Sequence, residues 1–419
     1  MKSLLAAGLL LLFAPSAFAQ SWSRTQVDDL ENAALAAPHE GLPVPQAKLD
    51  RLLAMRQVAY IDPIYQTAVD DAAEDLFRDL SHAYAQGVVD PATMPDQDWH
   101  IARPAPPDDA ALDQAIASGM APAVLLESLL PYSSDYMALR TELARLDASP
   151  QEVGAGAHRQ QVIANMERWR WLPRSWPERR VDVRLAEFQL TFYPGSGLTA
   201  QTHNIIVGKR STPSPAFDAI IPSLTINPDW DPPLSIALNE LLPRFRRNPG
   251  AAAREGFVAI DSAGRVVSGV DWHARPFPYS IRQQPGAQNA LGALRFNVLD
   301  PYAIYLHDTP SKSLFDRTNR ALSHGCIRVQ NPLALAAAML GGDWTEAGIQ
   351  EKIDQGVSFD IPVTPETPIY VLYFTTALNP DGTVRYLDDI YHRDDAIAAG
   401  LTPRASSDTI ASALMARLQ

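Results

Sequence analysis

Residues 301–332 read PYAIYLHDTPSKSLFDRTNRALSHGCIRVQNP and include Cys326, the single cysteine of the chain. Two histidines lie near it, His307 at the end of an apolar run and His324 two residues before the cysteine. A thiol becomes a strong nucleophile when it is deprotonated, and a histidine can take that proton and later deliver it to a leaving amine. The stretch therefore predicts acyl transfer through the sulfur of Cys326.

The neighbours of the cysteine have residue types that suit such a site. Gly325 permits a tight turn whose backbone N–H groups can form an oxyanion hole. Arg328 adds positive charge, which favours a thiolate and can pair with a substrate carboxylate. We expect His307 to be the base, because it ends a predicted strand (303–306) and can approach from a neighbouring segment. His324 is so close in sequence that lining the pocket suits it better. Packing of either histidine in the core is the structural alternative.

Zinc binding is the competing chemical interpretation of the same residues. Cysteine, histidine and the carboxylate of Asp308 are all metal ligands, but a zinc site needs three or four of them at short spacings. The chain has neither a CxxC nor an HExxH pattern. We therefore expect no metal and no cofactor.

The composition excludes several classes of protein. The chain has 419 residues, 46% of them hydrophobic and 20% charged, which favours two or more folded domains and excludes a disordered chain. One cysteine cannot form a disulfide within the chain. The formal net charge of −13 lacks the basic character of a nucleic-acid binder.

The N-terminus predicts export. Lys2 precedes an apolar run at residues 4–13 that is too short to span a bilayer, and Ala17-Phe18-Ala19 is a small-x-small cleavage site. We expect a signal peptide at residues 1–19, with a buried helix as the alternative, and a mature protein in the periplasm without a transmembrane segment. In an exported protein, a lone cysteine suggests an intermolecular disulfide, a reactive thiol or an inert buried side chain.

The pattern along the chain predicts an α+β protein. Residues 20–157 carry apolar side chains at helical spacing and end in a linker, which favours a helical scaffold domain. Residues 158–395 open with one helix and then alternate apolar and polar side chains as strands do. Within them, residues 232–279 interrupt the β-rich pattern and are either a lid over a site or a solvated insertion. A short helical tail is expected at residues 396–419.

One set of motifs resembles a known family. Ser323-His324-Gly325-Cys326-Ile327-Arg328, with His307 sixteen residues before Ser323, resembles the signature of L,D-transpeptidases, bacterial enzymes that remodel peptidoglycan. Further stretches are similar to the large periplasmic subgroup: residues 168–173, 227–230, 282–292, 304–310, 373–375 and 389–391. The helical N-terminal part resembles the scaffold domain of that subgroup more weakly. A peptidoglycan-binding module, which the subgroup often inserts, is not found.

The resemblance implies a β-sandwich-like catalytic domain and a role for each residue of the motif. Cys326 would be the nucleophile and His307 the general base, oriented by the backbone carbonyl of Asp308. The N–H groups of Gly325 and Cys326 would bind the oxyanion. The remaining motif residues, Ser323, His324 and Arg328, would line the pocket, and residues 232–279 would cap the substrate.

The reaction implied is a 3→3 cross-link between peptidoglycan stem peptides. Cys326 would attack the carbonyl of the third residue of a tetrapeptide, D-alanine would leave, and a side-chain amine of a neighbouring stem would resolve the thioester. Hydrolysis by an L,D-carboxypeptidase, attachment or detachment of a wall-linked lipoprotein, and a catalytically silent wall-binding protein remain alternatives. Tryptophan and arginine residues at 169–180 and 244–247 either contact the anionic stem or pack ordinarily.

Overall fold

The computed structural model describes residues 22–402. Within them, residues 22–88 and 105–131 form one compact unit, and residues 89–104 and 132–402 form a second. The predicted signal peptide and the last seventeen residues of the predicted tail (403–419) lie outside the described residues, and the domain boundaries expected from the sequence stay predictions. Between residues 22 and 402, no helix has the length and apolar character that crossing a membrane requires.

The first unit is built from helices, as the apolar spacing predicted. Ser23 begins the first of them with a capping box that includes Gln26, and Asp108 accepts hydrogen bonds from the opening N–H groups of the fourth. The third helix buries one face at helical spacing, including Val69, Leu76 and Leu80. The helices are α1 (Arg24–Ala36), α2 (Gln46–Ile61), α3 (Gln66–Gln86), α4 (Asp109–Ala117) and α5 (Pro122–Ser128).

The second unit contains a large sheet, the helices around it and an insertion. The elements before the insertion are α6 (Ser134–Ala148), α7 (Ala155–Arg170), β1 (Arg179–Arg184), β2 (Gln189–Pro194), β3 (Gln201–Gly208) and β4 (Phe217–Ile226). The insertion holds α8 (Leu234–Ile236), a π-helical turn (Ala237–Leu241), α9 (Leu242–Arg247), α10 (Pro249–Arg254), β5 (Phe257–Ile260), β6 (Val266–Val267) and β7 (Ser280–Gln283). The remainder comprises β8 (Leu294–Asn297), β9 (Leu306–His307), β10 (Ala321–Ser323), β11 (Ile327–Val329), α11 (Pro332–Leu340), α12 (Glu346–Asp354), β12 (Phe359–Leu372), β13 (Thr376–Leu378), β14 (Val384–Tyr386) and α13 (Asp394–Leu401).

The large sheet closes on itself. Its strand order is β10-β3-β11-β9-β8-β4-β12-β1-β2, and β2 also pairs with β3. Val181 and Val183 are fully buried, whereas Arg180 and Arg184 beside them are partly exposed, which is the alternation of a strand with one face in the core. Side chains of α11 and α12 complete that core. The predicted α+β class is confirmed, and the expected sandwich-like layers belong to one closed sheet.

The insertion has a small hydrophobic core of its own. Phe245 is fully buried between the rings of Phe257 and Trp272, with centroid separations of 5.2 and 4.9 Å. β5 pairs with β6 and β7 in a separate three-stranded sheet. The insertion is therefore an ordered subdomain rather than a solvated loop.

The tryptophan and arginine residues that end α7 are packed inside the second unit. Arg168 and Arg170 are fully buried, and Trp169 is 7% exposed. Arg170 donates a hydrogen bond of 2.7 Å to the hydroxyl of Tyr136, and Trp169 stacks on Phe374. For these residues the packing alternative is correct, and contact with an anionic ligand is excluded by burial.

Candidate active site

Two short neighbouring strands bring the predicted nucleophile and base together. β9 and β11 pair in parallel, with Arg328 opposite His307. The adjacent pair, Leu306 and Ile327, is fully buried in the core. Because successive side chains of a strand point to opposite faces, His307 and Arg328 lie on the face away from that core. Cys326 precedes β11 and follows the same alternation, so it lies on the face of His307.

His307, the predicted base, is a buried and neutral imidazole. It is 4% exposed, and its Nδ1 contacts the carbonyl of Asp308. Since a carbonyl only accepts hydrogen bonds, Nδ1 carries the proton, and the backbone of Leu291 forms a further hydrogen bond with the ring. Burial lowers the pKa of His307 to about 4, and the charge of Arg328 acts in the same direction. The imidazole is therefore uncharged at neutral pH.

The segment before His307 differs from the predicted strand of residues 303–306, of which only the last residue is in β9. The carboxylate of Asp300 accepts a hydrogen bond of 2.7 Å from the N–H of Tyr302, which closes a turn. Ala303 has a φ of 55°, in the left-handed region. The turn presents the carbonyl of Ala303 to the sulfur of Cys326 at 3.7 Å.

The thiol of Cys326 is partly exposed, but its surroundings favour the protonated form. Burial raises its pKa, and the charge of Asp300 acts in the same direction. The N–H of Tyr305 and the charge of Arg328 lower it, with a smaller combined effect. The expectation that Arg328 favours a thiolate is correct in direction but is outweighed by desolvation. The resting site therefore pairs a neutral thiol with a neutral imidazole.

The turn that carries Cys326, the predicted nucleophile, is tied together by Ser323. The hydroxyl of Ser323 accepts a hydrogen bond of 3.1 Å from the N–H of Gly325 and donates one of 2.6 Å to the carbonyl of Cys326. Gly325 has a φ of 118°, and a Cβ there would lie 3.3 Å from Ile304, so the turn requires glycine. This corrects the expected oxyanion hole, because the Gly325 N–H is already bonded. The N–H of Cys326 has no hydrogen-bond partner within residues 22–402.

A second set of buried groups holds this turn, and sequence reasoning missed it. The hydroxyl of Ser214, which is fully buried, donates a 2.5 Å hydrogen bond to the carbonyl of Gly325 and accepts one from the N–H of Gly208 at 3.0 Å. The hydroxyl of Tyr391 donates to the carbonyl of Gly208 at 2.7 Å. In the sequence, Tyr391 was indicated only by the family resemblance of the stretch in which it lies. No feature of the sequence indicated Ser214.

The guanidinium of Arg328 has a hydrogen-bond donor that is not paired, close to Cys326. Its Nε is buried and has no hydrogen-bond partner within residues 22–402. Burial lowers the pKa of the guanidinium from its usual value, but an arginine remains charged in proteins. A buried cationic donor without a partner is suited to an anionic ligand group such as a carboxylate.

His324 lies on the exposed side of the same turn. Its Nε2 is 2.9 Å from Oε1 of Glu240 and 3.3 Å from Nζ of Lys209. Glu240 belongs to the π-helical turn of the insertion, 84 residues away in sequence. The insertion therefore contacts the loop of the predicted nucleophile. Neither Glu240 nor Lys209 was predicted from the sequence.

The carboxylate of Asp308 has partners of its own. It accepts a hydrogen bond from the N–H of Ala293 at 3.0 Å and forms an ion pair with Lys312. It also borders a cavity of about 390 Å³ that is lined by Asn227 and Thr309, among others. Within residues 22–402, no three histidine, cysteine, aspartate or glutamate side chains are grouped as metal ligands would be.

Two family models match parts of the chain. Residues 178–368 match the L,D-transpeptidase catalytic domain named YkuD, and residues 12–143 match the Scaffold domain. A relative from Haemophilus influenzae, provisionally named an L,D-transpeptidase, is 32% identical over 243 residues, which are 57% of this chain and 49% of the relative. The chain thus spans about half the length of that relative.

Solved structures of low sequence identity were also found. An L,D-transpeptidase from Mycobacterium smegmatis is 15% identical, with a TM-score of 0.22 and coverage of 46% of this chain and 58% of that one. L,D-transpeptidase 1 of Mycobacterium tuberculosis is 13% identical, with a TM-score of 0.18 and coverage of 46% and 61%. The family assignment rests on the two domain matches and the Haemophilus relative.

Proposed function

Because the chain belongs to the L,D-transpeptidase family, we propose that it forms 3→3 cross-links between peptidoglycan stem peptides through a thioester on Cys326. The observation that carries the proposal is the pairing of β9 with β11. The proposal is supported by this register because strand alternation from Arg328 sets Cys326 toward the face of a buried, neutral His307, whose Nδ1 contacts the carbonyl of Asp308.

In the proposed acylation, His307 acts as a general base at the moment of attack. Its Nε2 takes the proton of the Cys326 thiol as the sulfur bonds to the carbonyl carbon of the third stem residue. The proton then passes to the amine of the terminal D-alanine, which leaves. This order is supported by the raised pKa of the thiol and the lowered pKa of the imidazole, which disfavour a preformed ion pair.

Two further groups fit the proposed transition state and substrate. The unpaired N–H of Cys326 can donate a hydrogen bond to the oxyanion, a contribution that is worth most where water is excluded. The unpartnered Nε of Arg328 can hold a carboxylate of the stem peptide. The insertion at residues 232–279 would act as the substrate cap. We also propose that the protein works in the periplasm after removal of residues 1–19.

The test is incubation of the protein with purified disaccharide-tetrapeptide, followed by mass spectrometry. We expect a cross-linked dimer that lacks one D-alanine, and an acyl adduct on Cys326 at early times. The Cys326→Ala variant should give neither product. A tripeptide monomer alone would replace the proposal with L,D-carboxypeptidase activity, and equal product from Cys326→Ala would exclude the thioester mechanism.

A further inference from the structure

A carboxylate from the insertion is bonded to the histidine beside the nucleophile. The side chain of Glu240 is 52% exposed, and its Oε1 lies 2.9 Å from Nε2 of His324. The residues that flank this carboxylate on the π-helical turn, Ala237 and Leu241, are buried in the core of the insertion. That packing fixes the backbone of Glu240 and leaves its side chain on the outside, toward His324.

The hydrogen bond determines which nitrogen of His324 carries a proton. An ionised carboxylate only accepts hydrogen bonds, so Nε2 must donate to Glu240. The Nζ of Lys209, at 3.3 Å from the same nitrogen, is then a neighbouring positive charge rather than a donor. The backbone N–H of Lys209 donates to the carbonyl of Ser323 at 2.9 Å, which ties the backbone of Lys209 to the same turn.

Nδ1 of His324 is left as a proton acceptor. It has no hydrogen-bond partner within residues 22–402. A histidine whose one nitrogen donates to a carboxylate, and whose other nitrogen is free, has the arrangement of a general base with its orienting group. His307 has a separate orienting group, the carbonyl of Asp308. The site thus holds two oriented imidazoles, both of which precede Cys326 in the chain.

We propose that Glu240 is a positioning residue for the second half of the reaction, in which it holds His324 ready to take the proton of the acceptor amine. This inference rests on the proposed function. The amine nitrogen bonds to the carbonyl carbon of the thioester, and the bond from that carbon to the sulfur of Cys326 breaks. The proton that the amine loses passes to Nδ1 of His324 and returns through solvent to the sulfur, which restores the thiol.

The test separates formation of the acyl-enzyme from its consumption. Rapid-quench mass spectrometry follows acylation of Cys326 by a tetrapeptide donor, and then loss of the acyl group after addition of an amine-bearing stem tripeptide. We expect Glu240→Gln to acylate within about twofold of the wild-type rate and to lose the acyl group to the amine at least about tenfold more slowly, within the range of general base effects. The matched control is Glu255→Gln, since Glu255 pairs with Arg244 at 2.7 Å within the insertion, and both of its rates should match wild type.

Two results would overturn the inference. One is an unchanged rate of the amine-dependent step in Glu240→Gln. The other is an equal fall in the rates of both steps, because a merely structural carboxylate affects both. A readout that needs no substrate is the ¹⁵N NMR spectrum of the imidazoles. We expect a protonated Nε2 and an unprotonated Nδ1 on His324, and loss of this pattern in Glu240→Gln. If Nε2 of His324 carries no proton in the wild-type protein, the inference is overturned and the proposed function is not. A wild-type protein that takes up no acyl group overturns the proposed function together with it.

Discussion

Cys326 and His307 show how the environment of a residue changes the chemistry that its type suggests. A cysteine beside two histidines and an arginine predicts a thiolate, because positive charge lowers the pKa of a thiol. Desolvation opposes this effect, since it penalises the charged form of each group. It raises the pKa of the thiol and lowers the pKa of the imidazole. The result is a neutral thiol and a neutral imidazole.

The first prediction at this scale concerns the reactivity of the thiol. The pKa of Cys326 is raised, so the rate of alkylation by iodoacetamide should stay low at neutral pH and increase only above the usual titration range of a cysteine. In Arg328→Gln the increase in alkylation rate should move to still higher pH, because the substitution removes a positive charge that lowers the pKa of the thiol. Alkylation that is already maximal in mildly acid solution would contradict this and indicate a preformed ion pair.

The second prediction concerns stability against pH. The pKa of His307 is about 4 in the folded protein, so between about pH 6.5 and 4 the unfolded chain binds a proton that the folded protein does not. The free energy of unfolding should therefore fall as the pH falls through this window, by about 3 kcal/mol from this group. In His307→Gln that part of the slope should vanish when unfolding by urea is measured across the window, whereas replacement of the exposed His273 should leave the slope in place.

At the scale of elements, most regular segments match the sequence pattern, and the segment before His307 does not. The helix α11 begins and ends at local sequence signals, because Pro332 starts it and a glycine follows it. The strand expected at residues 303–306 is mostly a turn, because Asp300 binds backbone N–H groups that a strand would use. Local side-chain bonds of this kind compete with apolar patterning, and they determine where the Ala303 carbonyl meets the thiol.

A prediction follows for the contact that holds the nucleophile turn. Ser214→Ala leaves the buried carbonyl of Gly325 and the N–H of Gly208 without their partner. We expect a loss of about 1–3 kcal/mol in the free energy of unfolding and slower acylation of Cys326. Ser118→Ala is the control, since that hydroxyl bonds a carbonyl on the exposed surface of α4. Equal stability of the two variants would show that the turn holds its shape without Ser214.

At the scale of the whole molecule, two parts of the second unit have hydrophobic cores that are separate from each other. One lies within the closed sheet, and the other lies within the insertion. Separate cores allow parts of a protein to open with different free energies. The insertion can therefore loosen while the sheet that carries His307 and Cys326 stays folded.

This organisation predicts different effects for two equivalent substitutions. Phe245→Ala removes a fully buried ring from the insertion, and Phe217→Ala removes a ring that is 1% exposed from the main core; each should cost about 3–5 kcal/mol. Hydrogen exchange should rise only in residues 234–283 for Phe245→Ala, and throughout the second unit for Phe217→Ala. Exchange that rises throughout the unit in both variants would mean that the two cores unfold together.

The sequence by itself determined the helical and β-rich parts, the family, and the residues of the S-H-G-C turn, because spacing, glycine requirements and motif order are local properties of a chain. Only the tertiary structure brought Ser214, Tyr391 and Glu240 to that turn. These contacts join residues separated by 84 positions or more, through single hydrogen bonds that leave no periodic pattern in the sequence. Burial likewise decided the protonation of Cys326 and His307, since desolvation depends on every segment packed around a group and not on its neighbours in the chain.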